Sequence, residues 1–443
     1  MKKALIVAAA CACAATTLAV AAPWGKKKAA AAGKVLNIYV WNEEFQSRFN
    51  DFYASRLPKD VKVNWVVTPN QGNAYQNKLD EALLAQNVKN PNDNNVDIFL
   101  VESDYALKYV DTDYTLDVKK DIGLTDADLA QQYKYTKDVM TSSKGKLKGV
   151  SWQACPAGFI YHRSFAKQVL GTDDPAEVQK QLNSWDKFDA VAAKMKAAGY
   201  FMLSGFDDDF RVFSDNVASP LVKGNKINID PQIRRWVKQT KEYTDKGYNN
   251  KANLWSAESG QGAGKNGKVF GYFGPGWFID FCLAGWAADD ASQPYVAGNG
   301  SCGDWAFCEG PQGFAWGGTW ICAAKGTDNV ELIKDIMYVM TCDKATAKKI
   351  SEQTGDFTNN EAAMTEVANG SYKSAFLGGQ NHLALLLQNA KKIDKSKVSA
   401  YDQGISETLQ AAMADYYNGK VSEDQAWNNF YTAVIELYPN LKR

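Results

Sequence analysis

Histidine is nearly absent from this chain: two in 443 residues, His162 and His382. Its cysteines never fall in a C-x-x-C pair, so a zinc ribbon is excluded. An excess of charge of either sign is also missing, since Lys and Arg total 50 and Asp and Glu total 50. No basic stripe points to nucleic acid, and no polybasic cluster beyond Lys26-Lys27-Lys28 points to a membrane surface. No apolar run reaches the ~20 residues that span a bilayer. G-x-S-x-G, H-E-x-x-H and the phosphate-loop glycine pattern are all lacking. Gly260 to Gly267 is Gly-rich, but it lacks G-K-[ST] and does not link a strand to a helix. An enzyme reading therefore rests only on plentiful carboxylates, of which a glycosidase needs two, and nothing singles out such a pair. The expectation is a non-enzyme with no cofactor and no metal.

What is present begins with a leader. Lys2 and Lys3 precede an apolar, small-residue stretch from Ala4 to Ala15, and Ala19-Val20-Ala21 has the small–x–small form of a cleavage site. Residues 1–21 read as a cleavable export signal, too short for a membrane anchor. Cys11 and Cys13 raise lipid anchoring as an alternative, although no Leu stands three residues before either. Residues 22–33, rich in Ala, Gly and Lys, have no apolar pattern to pack and read as a flexible leader. The protein is expected on the periplasmic or extracellular face. Six cysteines remain after cleavage: Cys155, Cys282, Cys302, Cys308, Cys322 and Cys342. An exported protein can form a disulfide from these, and they equally suit buried positions as small hydrophobes.

Aromatic content is high, at 12% with 13 Trp and 21 Tyr, more than core packing alone calls for. Along the chain, Val35 to Trp41 is β-branched and aromatic, and Val61, Val63, Trp65 and Val67 alternate. Val96 to Val101 is a nearly continuous apolar run, as in a buried parallel strand. Helical faces lie between them at Phe45, Phe49, Phe52 and Tyr53, then at Tyr75, Leu79, Ala82 and Leu83. This β-α-β-α-β order predicts a doubly wound sheet with right-handed crossovers. Ligands then bind beyond the carboxyl ends of the strands, where Trp41-Asn42-Glu43 and Glu102-Ser103-Asp104 stand. A second unit starts near Lys146. Its strands are Lys148 to Gln153, Gly158 to Tyr161 and Lys268 to Phe273. A helix follows Ser184 and stops at Gly199. A late strand at Thr319 to Ala324 precedes a helix carrying Leu332, Ile333, Ile336, Met337 and Met340. The C-terminal helices carry Ile405, Leu409 and Met413, then Trp427, Phe430, Val434 and Leu437.

Four stretches together resemble the family 1 extracellular solute-binding proteins, the group that includes the maltose-binding protein. Lys144-Gly145-Lys146-Leu147-Lys148-Gly149-Val150 followed by Ile160-Tyr161-His162-Arg163 is similar to the family's "GKLYGVP…YYNK" passage. Ser184 to Phe188 is similar to its "TWDEF" helix start, and Gly271 to Trp277 to its "GPW" strand end. Gly317 to Ala323 followed by Asn329 to Leu332 is similar to its late strand and "NPELA" helix. His162 stands in place of the usual Asn, and Gly276 is inserted before Trp277. The chain also resembles a subgroup with "WNDEF" and "FLGGQNH" stretches, here Trp41 to Phe45 and Phe376 to His382.

The resemblance implies an α/β, two-lobed periplasmic-binding-protein fold. Each lobe is a doubly wound sheet with helices on both faces, and the ligand cleft lies between lobes that close by a hinge. Lobe one is expected at 34–153 plus 310–355, and lobe two at 154–309 plus 356–443. The implied role is the binding component of a carbohydrate ABC importer, a monomer whose partners are a carbohydrate ligand and the transporter's membrane subunits.

Trp277, matching a family sugar contact, is the first stacking candidate; Trp41 and Trp152 follow. Trp316 and Trp320 flank Gly317-Gly318, where backbone can approach a ligand closely, and one of the two tryptophans is expected in the core. Glu43, Glu102 and Asp104 are candidate hydroxyl acceptors. Asn42, Gly318 and His382, with Gln380 and Asn381, complete the candidates. Asp207-Asp208-Asp209 lacks the spacing of a calcium loop and is expected as a solvated loop. The rival readings are a binding protein for a polyol or phosphate ester, and a polysaccharide-binding surface protein. An anionic ligand would want Arg or Lys at the candidate positions, which are instead aromatic and acidic.

Overall fold

The computed structural model describes residues 33–443. The export signal, Cys11, Cys13 and the leader up to residue 32 lie outside the described residues. Strand β1 (Val35–Val40) buries Leu36, Ile38 and Val40. It pairs in parallel with β2 (Lys62–Val67) on one side and with β3 (Ile98–Glu102) on the other. β3 is the apolar run and is buried up to Val101; β2 lies at the edge and is half exposed. Helices Glu44–Phe52 and Ala74–Leu84 make the crossovers, burying Phe45 and Phe49, then Tyr75, Leu79 and Leu83. The three strands are parallel, as the β-α-β-α-β order predicts, and their order in the sheet is β2-β1-β3. The sheet is completed from far along the chain: strand Thr319–Ala323 pairs antiparallel with β3 and carries β4 (Val150–Ser151) on its far edge.

The second sheet is built around β5 (Pro156–His162), buried along its whole length. Strands Gly271–Pro275, Trp305–Cys308 and Phe314–Ala315 all pair with it antiparallel. Helix Trp185–Ala197 starts where expected, with Ser184 Oγ accepting from the Lys187 amide at 3.3 Å. The C-terminal helices Asp402–Tyr417 and Glu423–Leu437 bury Ile405, Leu409 and Met413, then Trp427, Phe430 and Val434. Leu437 is 53% exposed instead, because it lies in the last turn, past the edge of the core.

Buried side chains form two separate cores. One draws on Leu36 to Trp152 and Trp320 to Ile350. The other draws on Ala154 to Trp316 and Phe357 to Leu441, with Tyr133 and Tyr135. The chain passes between them near Gln153, Gly317 and Asp356. Hydrogen bonds tie these crossings together: Ala154 N to Phe357 O at 3.1 Å, Asn359 N to Trp152 O at 2.7 Å and Trp316 N to Cys155 O at 3.1 Å.

All six described cysteines are buried and free, so they serve as small hydrophobes. The Asp207–Asp209 stretch is not a solvated loop. Asp208 and Asp209 are each 2% exposed, and Asp208 Oδ2 accepts from the amides of Ser204 (2.6 Å) and Gly205 (3.0 Å), which anchors the turn. Among the described residues no group of three His, Cys, Asp or Glu is arranged to hold a metal, and no helix is long and apolar enough to cross a membrane.

Candidate functional site

The carboxyl ends of β1 and β3 point to the gap between the two cores, and so does the carboxyl end of strand Gly271–Pro275. A cavity of about 330 Å³ opens there. From the first sheet come Trp41 and Asn42, just past β1, and Glu102 and Asp104, at and just past β3. Thr319, paired in register with Glu102, and Gly318 before it continue that wall. Trp277 and Trp316, which follow strands Gly271–Pro275 and Phe314–Ala315, form the opposite wall.

The aromatic wall is fixed by its own contacts. Trp277 and Trp316 meet edge to face, with centroids 5.0 Å apart, and Trp277 Nε1 donates to the Trp316 carbonyl at 3.1 Å. Gly317 and Gly318 both take positive φ (78° and 108°), which bends the crossing beneath Trp277. A Cβ on Gly317 would press on the Trp277 indole at 3.2 Å. The inserted Gly276 has a similar reason: a Cβ there would lie 2.7 Å from the Gly355 carbonyl on another crossing. Across the cavity, Trp41 is held edge-on by Tyr75 and Tyr105.

The polar wall is a set of half-buried charges. Asp104 receives a two-pronged bond from Arg211, with Nη1 at 2.6 Å and Nη2 at 2.5 Å. Burial works to raise the Asp104 pKa, but Arg211 prevails and holds it below the usual carboxylate range. Glu102 accepts from the Ser103 hydroxyl (2.8 Å) and the Asp104 amide (2.7 Å). Burial, and then the neighbouring Asp104, push Glu102 up to about 7. Glu44 opens the first crossover helix and accepts from Gln153 Nε2 at 2.8 Å, while the same nitrogen reaches Asp356 at 2.9 Å. Burial and the charge of Asp356 raise Glu44 to about 7, against the pull of Arg48. One turn along that helix, Arg48 pairs with Asp280 of the second lobe at 2.9 Å.

Of the sequence candidates, Trp41, Asn42, Glu102, Asp104, Trp277, Trp316 and Gly318 line this one cavity. Four do not. Glu43 is exposed; the helix begins at the next residue, so Glu44 turns inward instead. Trp152 is 1% exposed and stacks on Phe45 at 5.1 Å inside the first core. Trp320, on the buried late strand, donates its Nε1 to the Thr136 carbonyl at 2.9 Å and is the core member of its pair. His382 is 1% exposed, bonds the Gly355 carbonyl at 3.1 Å and packs near Phe307 and Tyr372. Gln380 and Asn381 bond backbone groups elsewhere.

Sequence reasoning missed Glu44, Gln153, Arg211, Thr319 and the exposed Trp255 (58%) and Phe281 (60%). Glu44 had a signal: it stands four residues before Arg48, one position from the Phe45/Phe49 face. Arg211, Trp255 and Phe281 had none, because only tertiary packing brings their segments to the cavity.

The family model for bacterial extracellular solute-binding proteins matches residues 43–376, well over half the chain. No curated protein sequence matches it. Solved structures resemble the fold along nearly its full length. One described as an extracellular solute-binding protein of family 1 has a TM-score of 0.73 at 16% identity, covering 91% of this chain and 99% of that one. An ABC-transporter-associated binding protein from B. animalis subsp. lactis, solved with β-1,6-galactobiose, has a TM-score of 0.67 at 18% identity, covering 91% and 97%. The GacH receptor of Streptomyces glaucescens, solved unliganded and with acarbose, has a TM-score of 0.66 at 15% identity, covering 93% and 100%. These likenesses establish the two-lobed periplasmic-binding-protein fold.

Proposed function

We propose that this chain, which belongs to the bacterial extracellular solute-binding protein family, captures a sugar or oligosaccharide and delivers it to the membrane subunits of an ABC importer. One observation carries the reading: indole rings and carboxylates line a single cavity between the two lobes. A pyranose offers an apolar C–H face, which a flat ring covers, and a rim of hydroxyls, which carboxylates and amides satisfy. Similar folds solved with galactobiose and with acarbose support the ligand class. Among the described residues, the one Arg or Lys lining the cavity is Arg211, already paired with Asp104, which argues against an anionic solute.

In this reading the protein works as an exported monomer in the periplasm or on the cell's outer face, and it performs no catalysis. The lobes divide at Gln153, at Gly317-Gly318 and at Asp356. Packing of Phe314 and Trp316 with the second core supports a middle boundary near 317 in place of the expected 310. Among the described residues, the ion pairs of Asp104 with Arg211 and of Arg48 with Asp280 join the lobes at the cleft. Such pairs form only when the lobes meet, which supports closure by a hinge at the three crossings.

A thermal-shift screen over mono- and oligosaccharides tests the reading, because a specific ligand must raise the melting temperature. Small-angle scattering with that ligand should show compaction, which a polysaccharide-binding surface protein would not show. A rise only with phosphorylated or amino-acid solutes would reject carbohydrate, and shorter products after incubation with the oligosaccharides would reject a purely binding role.

A further inference from the structure

The cavity's charges do not balance internally, and the imbalance says something about the ligand. Three carboxylates, Glu44, Glu102 and Asp104, line it against one guanidinium, Arg211. Arg211 commits both terminal nitrogens to Asp104, so that pair is closed on itself. Glu102 accepts hydrogen bonds only from neutral donors, the Ser103 hydroxyl and the Asp104 amide; Arg211 attracts it, but the Arg211 hydrogen bonds go to Asp104. Glu44 is served by the Gln153 amide; nearby Arg48 attracts it, but the Arg48 guanidinium is bonded to Asp280, and Asp356 and Asp280 both repel Glu44. Two carboxylates thus face the cavity without a direct ion pair, each sharing its nearest guanidinium with another acid that holds it. Taking such groups out of water is costly unless a positive charge arrives with its own donors. A neutral sugar brings donors and no charge; an ammonium brings both.

The rest of the lining suits the same guest. Trp41, Trp255, Trp277 and Trp316 share the cavity. Indole faces attract cations as well as covering C–H surfaces. Within the site this attraction is already in use, since the Arg211 guanidinium lies 5.9 Å from the Trp316 ring centre. We infer that the ligand is an amino sugar: a pyranose, free or in a short oligomer, that carries a protonated primary amine set between Glu44, Glu102 and the indole rings. This rests on the carbohydrate reading and sharpens it. Burial holds both glutamates up to about 7, as fits carboxylates that gain by acquiring a cation. An N-acetylated amine, being neutral, would not supply that charge.

Calorimetric titration of matched sets tests this: glucose, glucosamine and N-acetylglucosamine, the galactose and mannose equivalents, and their β-1,4-linked dimers where these exist. In at least one set the free amine should bind about ten-fold or more tighter than both neutral members near neutral pH. That preference should shrink with added salt and in Glu102→Gln and Glu44→Gln, each read as the amine-to-neutral ratio in a folded variant. If every neutral member binds as tightly as its amine, the amino-sugar inference is overturned while the carbohydrate reading stands. An undiminished ratio in both variants overturns the assignment to these carboxylates. Binding of linear diamines with no sugar bound at all overturns the carbohydrate reading itself.

Discussion

The two walls of the cavity differ in chemistry. The wall from the first lobe is mostly acidic and amide: Asn42, Glu44, Glu102 and Asp104, with Trp41 as its one indole. The wall from the second lobe is mostly aromatic: Trp255, Trp277, Phe281 and Trp316, with Arg211 as its one charge. The acceptors sit at strand ends and the first turn of a helix, on a sheet built early in the chain. The rings sit on turns and a short helix, and two of them stand well exposed at the cavity's rim. Fixed acceptors orient a ligand, and broad rings supply buried area. Neither wall is a site alone, so on the proposed function affinity would depend on the lobes coming together.

The largest effect should come from the aromatic wall. Trp277→Ala removes a ring from the ligand and a hydrogen bond from the Trp316 carbonyl, and should weaken binding by about 2–3 kcal/mol. Calorimetry on the folded variant checks this; unchanged affinity would remove Trp277 from the site. Next comes the bond between the walls. Asp104 and Arg211 keep 27% and 30% of their side-chain surface, so breaking the pair should cost less than a fully buried one. Arg211→Gln or Asp104→Asn should weaken ligand binding by about 1–2 kcal/mol. The double variant should weaken it by less than the sum of the two, and scattering should show poorer closure in all three.

The acidic wall should also contribute to how stability responds to pH, alongside Asp97, Asp208 and Asp402, which burial raises to about 6, 8 and 6 elsewhere in the fold. Glu44 and Glu102 stand at about 7 in the fold against an ordinary 4.5, and Asp356 at about 6 against 3.8. A carboxyl raised by folding stabilises fully below its unfolded pKa, and that contribution is lost as pH rises through its folded value. The ligand-free melting temperature should therefore fall as pH rises from about 5 to about 8, by a few degrees at most. Asp104 is held low and stays ionised across that window. Glu102→Gln should flatten the slope, whereas Trp277→Ala should leave it unchanged. A slope as steep in the Glu102→Gln and Glu44→Gln double variant as in the parent would place its origin wholly in the other raised carboxylates, Asp97, Asp208, Asp356 and Asp402.

The contrast between the walls also explains what the sequence made legible. The first three strands follow one another with a helix between each, so their parallel order, and the position of Trp41 and Glu102 at its carboxyl edge, could be read from periodicity. β5 takes its partners from strands beginning at Gly271, Trp305 and Phe314, and no local pattern announces which of them pair. Trp277, which lines the cavity, was a candidate through its strand, turn and family likeness. Trp255 and Arg211 lie on segments that reach the cavity only through tertiary packing. Trp152 misled because a tryptophan beside a crossing looks the same in sequence whether it faces the cleft or, as here, Phe45 in the core.

The smallest predicted effect tests the finest of these distinctions. Glu43 and Glu44 are adjacent and chemically identical, and only the phase of the helix separates them. Asn42 Oδ1 accepts from the Glu44 amide at 3.1 Å, which starts the helix there, turns Glu44 toward Gln153 and leaves Glu43 in solvent. Glu43→Gln should change ligand affinity by less than about two-fold, as for an exposed side chain with no partner in the site. Glu44→Gln removes a charge that lines the cavity and should change affinity several-fold, and more for a cationic ligand than for a neutral one. Equal effects from both substitutions would mean that the first turn of this helix is not where the cavity meets its ligand, and that the acidic wall rests on Glu102 and Asp104 alone.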